Sequence, residues 1–153
     1  MHKSPLDKWL QTFTPHPEGG RFRELWRSSR GVKTDDGRER SALTHIHFHL
    51  AAGERSRFHR VAQDEVWNLY HGKLCLWMLT EDGDLTRTEL APDTASFSAV
   101  VPAGVWQAAE PLDGDALLGC SVAPGFDFAD FTLISDNTPV REQVIRHGLD
   151  RFL

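Results

Sequence analysis

The chain has little of what builds several common protein classes. It has only two cysteines, Cys75 and Cys120, and no Cys-x-x-Cys pair. That excludes a zinc ribbon or a thioredoxin-type redox site. Each cysteine sits among apolar residues in a candidate strand, which predicts free, buried thiols. Long hydrophobic runs are absent. Nothing approaches the ~20 apolar residues of a membrane span, and residues 1–10 hold no apolar stretch of signal-peptide length. A cytoplasmic, reduced protein is expected. Excess positive charge is missing too: the formal net charge is -5 and the arginines are scattered. The richest stretch, residues 21–40, is balanced by Glu24, Asp35, Asp36 and Glu39, so neither nucleic acid nor a membrane surface is an expected partner.

What is present is the punctuation of an all-β protein. Short apolar runs recur at residues 22–26, 44–50, 56–60, 65–71, 73–80, 85–90, 97–101, 106–109, 117–122 and 131–134, separated by Gly, Pro, Asp and Asn. The stretch 81–84, Glu-Asp-Gly-Asp, reads as a hairpin turn, and residues 31–40 as a polar loop. Ser4, Pro5 and the spacing of Leu6, Trp9 and Leu10 predict a short opening helix, ended by Pro15, Pro17, Gly19 and Gly20. A second short helix is expected after Pro139, carrying Val140, Val144 and Ile145. Ten strands with no linker between them predict one sandwich, jelly roll or barrel.

Three constellations carry polar chemistry. In the first, His59 precedes Glu65 by six residues, across a bend from Val61 to Asp64. Both side chains can reach one interior, and imidazole with carboxylate is a common donor pair for Zn, Mn, Fe or Ni. A buried ion pair or hydrogen bond is the plain structural alternative. Trp67 has the parity of Glu65 and is expected on the same face as a pocket wall; Tyr70 is expected to face away. In the second, Pro102 and Gly104 mark a tight turn that sets Gln107 at the start of a strand, where its amide suits a metal or a ligand. The third is residues 44–50, where His45, His47 and His49 alternate with apolar residues. Same-face neighbours on a strand lie ~6.5–7 Å apart, so one ion would not hold all three. Two of them, with His59, remain an option; so does a polar face turned to solvent, a loop or a partner. The segment from His16 to Gly20 reads either as a pocket border or as a rigid turn.

The first two constellations resemble the cupin superfamily. Its first motif is matched by Gly53, His59, Glu65 and Gly72, with Val61 in place of a second histidine. Its second motif is matched by Pro102 and Gly104, with Ser96 in place of a glycine and Gln107 in place of a histidine. Together with residues 16–20, 56–60, 64–67, 101–107 and 122–128, the chain is similar to the short single-domain cupins of the cupin-5 group, of unknown function. The resemblance implies residues 1–153 as one cupin domain: all-β, a double-stranded β-helix or jelly-roll barrel with short flanking helices. It further implies a homodimer with a pocket in each barrel, bordered by His16 and Glu18, and it places the replacements at Val61 and Gln107 within the group's own pattern.

Three functions follow as expectations. One is a binder of a sugar-like or nucleotide-sugar-like small molecule, epimerase- or isomerase-like. Here His59 serves as acid or base, Glu65 orients it, and His16, Glu18, Trp67 and Gln107 contact ligand. The second is a weak-site metal enzyme, oxygenase or isomerase, with a divalent ion on His59, Glu65 and Gln107. The third is a non-catalytic ligand sensor or structural dimer.

Overall fold

Gly72 bends a strand that the sequence suggests it should break. Its φ is 82°, and a Cβ there would lie 2.1 Å from the carbonyl oxygen of Asp115. Only glycine allows that approach while the ladder continues on either side. The runs at 65–71 and 73–80 are therefore one strand in the computed structural model, which describes residues 2–153. The runs at 106–109 and 117–122 are likewise one strand, with positive φ at Asp113 and Gly114 and a register shift opposite Gly72.

In chain order the elements are α1 (Pro5–Leu10), β1 (Thr14–Pro15), β2 (Arg21–Arg27), β3 (Gly31–Lys33), β4 (Glu39–Ser41), β5 (Thr44–Leu50), β6 (Ser56–Val61), β7 (Asp64–Leu79), β8 (Leu85–Leu90), β9 (Ser98–Val101), β10 (Trp106–Ala123), β11 (Phe131–Leu133) and α2 (Thr138–Arg146). The polar loop expected at 31–40 is a hairpin, since β3 pairs with β4. The opening helix is capped as its residues suggest: the Ser4 hydroxyl accepts the Asp7 N–H and Asp7 bonds back to Ser4. No helix among the described residues is long and apolar enough to cross a membrane.

The bent pair β7–β10 is the spine of the molecule. The C-terminal half of β10 pairs with β5, which continues to β2 and β1, and the N-terminal half of β7 pairs with β9. Beyond the bend, β10 pairs with β6 and then β11, while β7 pairs with β8. One antiparallel sheet is thereby curled into a barrel with two facing layers. Its inner face holds Phe48, Leu50, Trp67, Leu69, Leu74, Leu76, Leu90 and Leu118. This apolar filling closes one end of the barrel and leaves the other open. A second core lies outside, where α2 and the C-terminal residues cover Phe58, Leu79, Trp106 and Ala108 with Val140, Val144, Leu149 and Phe152.

Alternation along β5 behaves as the sequence suggests. Thr44, Phe48 and Leu50 are buried inward, and His45, His47 and His49 lie on the outer face. His45 is hydrogen-bonded to Ser121 at 2.7 Å and to Tyr70 at 3.0 Å, His47 packs edge-on against Trp9, and His49 meets Asp115 at 2.8 Å. The three imidazoles are spent on separate partners outside the barrel, away from His59.

A candidate acid–base site in the open end of the barrel

Strict alternation would put Ser56 and His59, three residues apart, on opposite faces of β6. A register shift prevents this: Ser56 pairs with Ala109 and His59 with Gln107, so three steps on β6 match two on β10. The bulge turns both side chains inward. His59 stacks on Phe131 at 5.4 Å between ring centres, and its Nδ1 lies 2.7 Å from the Arg57 carbonyl oxygen, to which it donates.

The segment from His16 to Gly20 is a strap across the barrel mouth. His16 N–H donates to the Gly20 carbonyl and Gly19 N–H to the His16 carbonyl. A Cβ at Gly19 would sit 2.0 Å from the Arg55 carbonyl oxygen, so the strap runs in close contact with neighbouring backbone. The strap carries Glu18 into the barrel, where its Oε2 lies 2.6 Å from His59 Nε2 and accepts the Ser56 hydroxyl at 2.7 Å. Burial raises the Glu18 pKa, but the charges of His59 and His16 and the hydrogen bonds from His59 and Ser56 outweigh it and hold the carboxyl below its ordinary value. Burial alone lowers the His59 pKa, yet Glu18 and the Arg57 carbonyl raise it overall. The two form a buried imidazolium–carboxylate pair. Glu18, rather than Glu65, is thus the carboxylate that orients His59. His16 differs: its Nδ1 accepts the Glu18 backbone N–H, and burial lowers its pKa. At neutral pH its lowered pKa leaves it mostly uncharged, with its proton on Nε2, so its 3.3 Å approach to Glu18 becomes an ion pair only where acid protonates it.

Glu65 enters from β7 and takes the opposite role. Burial and the nearby Glu18 carboxylate push its pKa up to about 7, against the opposing pull of His59, Gln107 and Cys120. Gln107 donates from Nε2 to Glu65 Oε1 at 2.9 Å, and its own oxygen accepts the Trp67 indole N–H at 2.7 Å. Both residues lie behind Glu65. Trp67 shares the face of Glu65 but is part of the apolar filling, and neither it nor Gln107 lines the cavity. Cys120, buried and unpaired, does line it. Burial and the Glu65 charge raise its thiol pKa well above the ordinary value.

The cavity in front of these groups measures about 170 Å³. His16, Glu18, His59, Glu65 and Cys120 make its polar end, and Val61, Phe22, Phe126, Phe128 and Phe131 wall it. At the rim Glu24 and Arg27 pair at 2.7 Å, and Arg27 also donates to the Phe126 carbonyl at 3.0 Å. Sequence reasoning missed Cys120, Glu24, Arg27 and the three late phenylalanines as lining residues. Phe126, Phe128 and Phe131 come from loop and edge segments that reach the mouth only through the fold.

The donor set does not fit a resident metal ion on His59, Glu65 and Gln107. Both His59 nitrogens are engaged, the Gln107 oxygen is taken by Trp67, and Val61 offers no donor. Among the described residues no group of three or more His, Cys, Asp or Glu side chains is placed to hold a metal.

The comparisons agree with this architecture. A structure of a protein from Shewanella oneidensis is 31% identical, with a TM-score of 0.83, over 100% of this chain and 98% of that one. A hypothetical protein from Leishmania major is 28% identical, with a TM-score of 0.78, over 92% and 94%. Oxalate decarboxylase from Bacillus subtilis shares the fold at 16% identity and a TM-score of 0.60, over 93% of this chain and 36% of that one. A search of curated proteins finds no match. The family model described as Cupin superfamily (DUF985) matches residues 9–134, and the chain belongs to that cupin family.

Proposed function

We propose that the barrel binds a ring-sized, hydroxyl-bearing small molecule, sugar-like in character, and moves a proton on it in the manner of an isomerase or epimerase. The observation that carries this reading is Glu65, a carboxyl on the cavity wall whose pKa is near 7. Such a group is half protonated at neutral pH and exchanges protons with little driving-force penalty in either direction. Gln107 and Trp67 fix its orientation from behind. The His59–Glu18 pair carries no net charge and gives the wall beside the ligand a fixed dipole. His16, neutral and protonated on Nε2, is suited to donate to a ligand oxygen.

Size supports a single ring. A cavity of about 150 Å³ holds a benzene, and this one is about 170 Å³. The phenylalanine walls suit the apolar face of such a ring, and the polar end suits its hydroxyls.

The test is proton exchange. The protein is incubated in D2O with a panel of aldoses and ketoses, and loss of carbon-bound protons is followed by NMR. Binding is read in parallel by thermal shift. The reading expects a sugar that stabilises the protein and exchanges a carbon-bound proton, with exchange lost and binding kept in Glu65→Gln. Binding with no exchange in the wild type would make the barrel a sensor, and no binding at all would overturn the reading.

A further inference from the structure

A second cavity, about 350 Å³, opens beside the barrel mouth between the end of β2 and the β3–β4 hairpin. It is lined by Arg27, Arg30, Arg40, Ser28, Ser29 and Ser41, with Glu39 and Asp127 on its walls. Arg27 lines both cavities, and the carbonyl it binds belongs to Phe126, which lines the barrel. The two spaces are therefore neighbours across one guanidinium.

The charges inside the barrel leave no place for an anion. The His59 cation is neutralised by Glu18, Glu24 is paired with Arg27, and the ionised form of Glu65 repels negative charge from the remaining wall. Outside, Arg27 is paired with Glu24 and Arg40 with Asp130, which leaves Arg30 as the uncommitted guanidinium on a wall that also carries Glu39 and Asp127. Arg27 spends three of its five N–H donors on Glu24 and Phe126, and Arg40 spends its own on Asp130 and the Glu39 carbonyl. The Arg30 side chain makes no hydrogen bond or ion pair among the described residues. Asp127 is partly withdrawn, since it accepts the Ala129 N–H. The Ser41 hydroxyl is spent on the Ser28 and Leu43 carbonyls, but an arginine without a partner, beside two held in fixed orientation and the hydroxyls of Ser28 and Ser29, is the chemistry that binds phosphoryl oxygens.

We propose that this outer cleft takes the phosphoryl group of a phosphorylated ring compound whose ring occupies the barrel, with Arg30 as its principal contact. This rests on the ring-binding reading above and names its ligand class.

The experiment measures, by titration calorimetry on the full chain, the affinity for a monosaccharide, for its phosphate ester and for inorganic pyrophosphate, with wild type and Arg30→Gln. The expected result is an ester bound about tenfold or more tightly than its parent sugar. That advantage should shrink with added salt and vanish in Arg30→Gln, with the parent sugar bound as before. Equal binding of ester and parent, or an advantage untouched by Arg30→Gln, would overturn the outer site and leave the ring-binding reading standing. If no sugar or ester binds, the ring-binding reading fails, and pyrophosphate decides the outer site alone. Saturable binding weakened about tenfold by Arg30→Gln upholds the outer site, and anything else sinks it.

Discussion

His59 and Glu18, 41 positions apart in the chain, meet at 2.6 Å inside the barrel, each almost wholly shielded from water. Burying two charges is costly, and their mutual attraction offsets the cost only while both are present. Glu18→Gln is expected to destabilise the fold by about 3–5 kcal/mol, the usual effect of leaving one buried charge alone. It should also drop the His59 pKa below its value in the wild type, since Glu18 is what raises it. Urea denaturation and an NMR titration of the imidazole check both. A variant with unchanged stability and an unchanged His59 titration would mean the pair is not formed.

The same pair has a pH signature. Glu18 is held below its ordinary 4.5, so its contribution is complete above pH 4.5 and is lost as pH falls through the lowered value. His59 is raised above 6.5, so its contribution is complete below pH 6.5 and is lost as pH rises through the raised value. The pair therefore contributes most between pH 4.5 and 6.5. The stability difference between wild type and the double variant Glu18→Gln/His59→Gln should be largest in that window and shrink on both sides.

How much of this is legible in the sequence depends on whether local period decides it. On β5 it does: His45, His47 and His49 alternate against Thr44, Ile46 and Phe48, and the faces follow. At β6 it does not, because the bulge that turns Ser56 and His59 to one side arises from pairing with β10, which no window around residue 59 contains. The strand breaks expected at Gly72 and near residues 113–115 are bends, because a glycine at positive φ can turn a strand without ending its ladder. Glu18 reaches His59 only through a strap whose path is set by contacts with Arg55 and His49. Gln107 was recognisable as a residue near the site, but its commitment to Trp67 and Glu65 depends on depth in the barrel, which a motif does not encode.

Gln107→Leu tests that commitment. It leaves the buried Trp67 indole N–H without an acceptor and removes the donor that steadies ionised Glu65. A loss of about 1–3 kcal/mol is expected for the orphaned group. The Glu65 pKa should move above about 7, because Gln107 is among the groups that lower it. Carboxyl carbon shifts followed against pH give the second quantity directly.

Asp130 ties the β3–β4 hairpin to the barrel. Its carboxylate, with no exposed side-chain surface, pairs with Arg38 and Arg40 and accepts from Gln63. Arg40, working against burial and joined by Arg38 and Gln63, holds its pKa at about 2. Asp130→Asn keeps the shape and removes the charge. Amide hydrogen exchange should quicken in residues 31–41 while β7 and β10 keep their protection. Unchanged exchange in the hairpin would show that its own β3–β4 ladder, without the ion pairs, is enough to hold it.

Glu65 gives the sharpest pH dependence, and its sign is opposite to that of Glu18. The folded pKa, about 7, lies above the ordinary 4.5. Below pH 4.5 the carboxyl is protonated in both states and costs nothing. Between pH 4.5 and about 7 the folded chain keeps a proton that the unfolded chain has released, so stability falls as pH rises. Above that the full cost, on the order of 3 kcal/mol from the size of the shift, persists. Glu65→Gln cannot ionise and can still accept from Gln107. Its stability relative to wild type should therefore climb across pH 4.5–7, and the variant should gain most on the alkaline side. Urea denaturation of both proteins from pH 4 to 8 measures this difference, and groups common to both cancel from it. A flat difference would place the Glu65 pKa at its ordinary value, and the half-protonated carboxyl on which the proposed proton transfer depends would be absent at neutral pH.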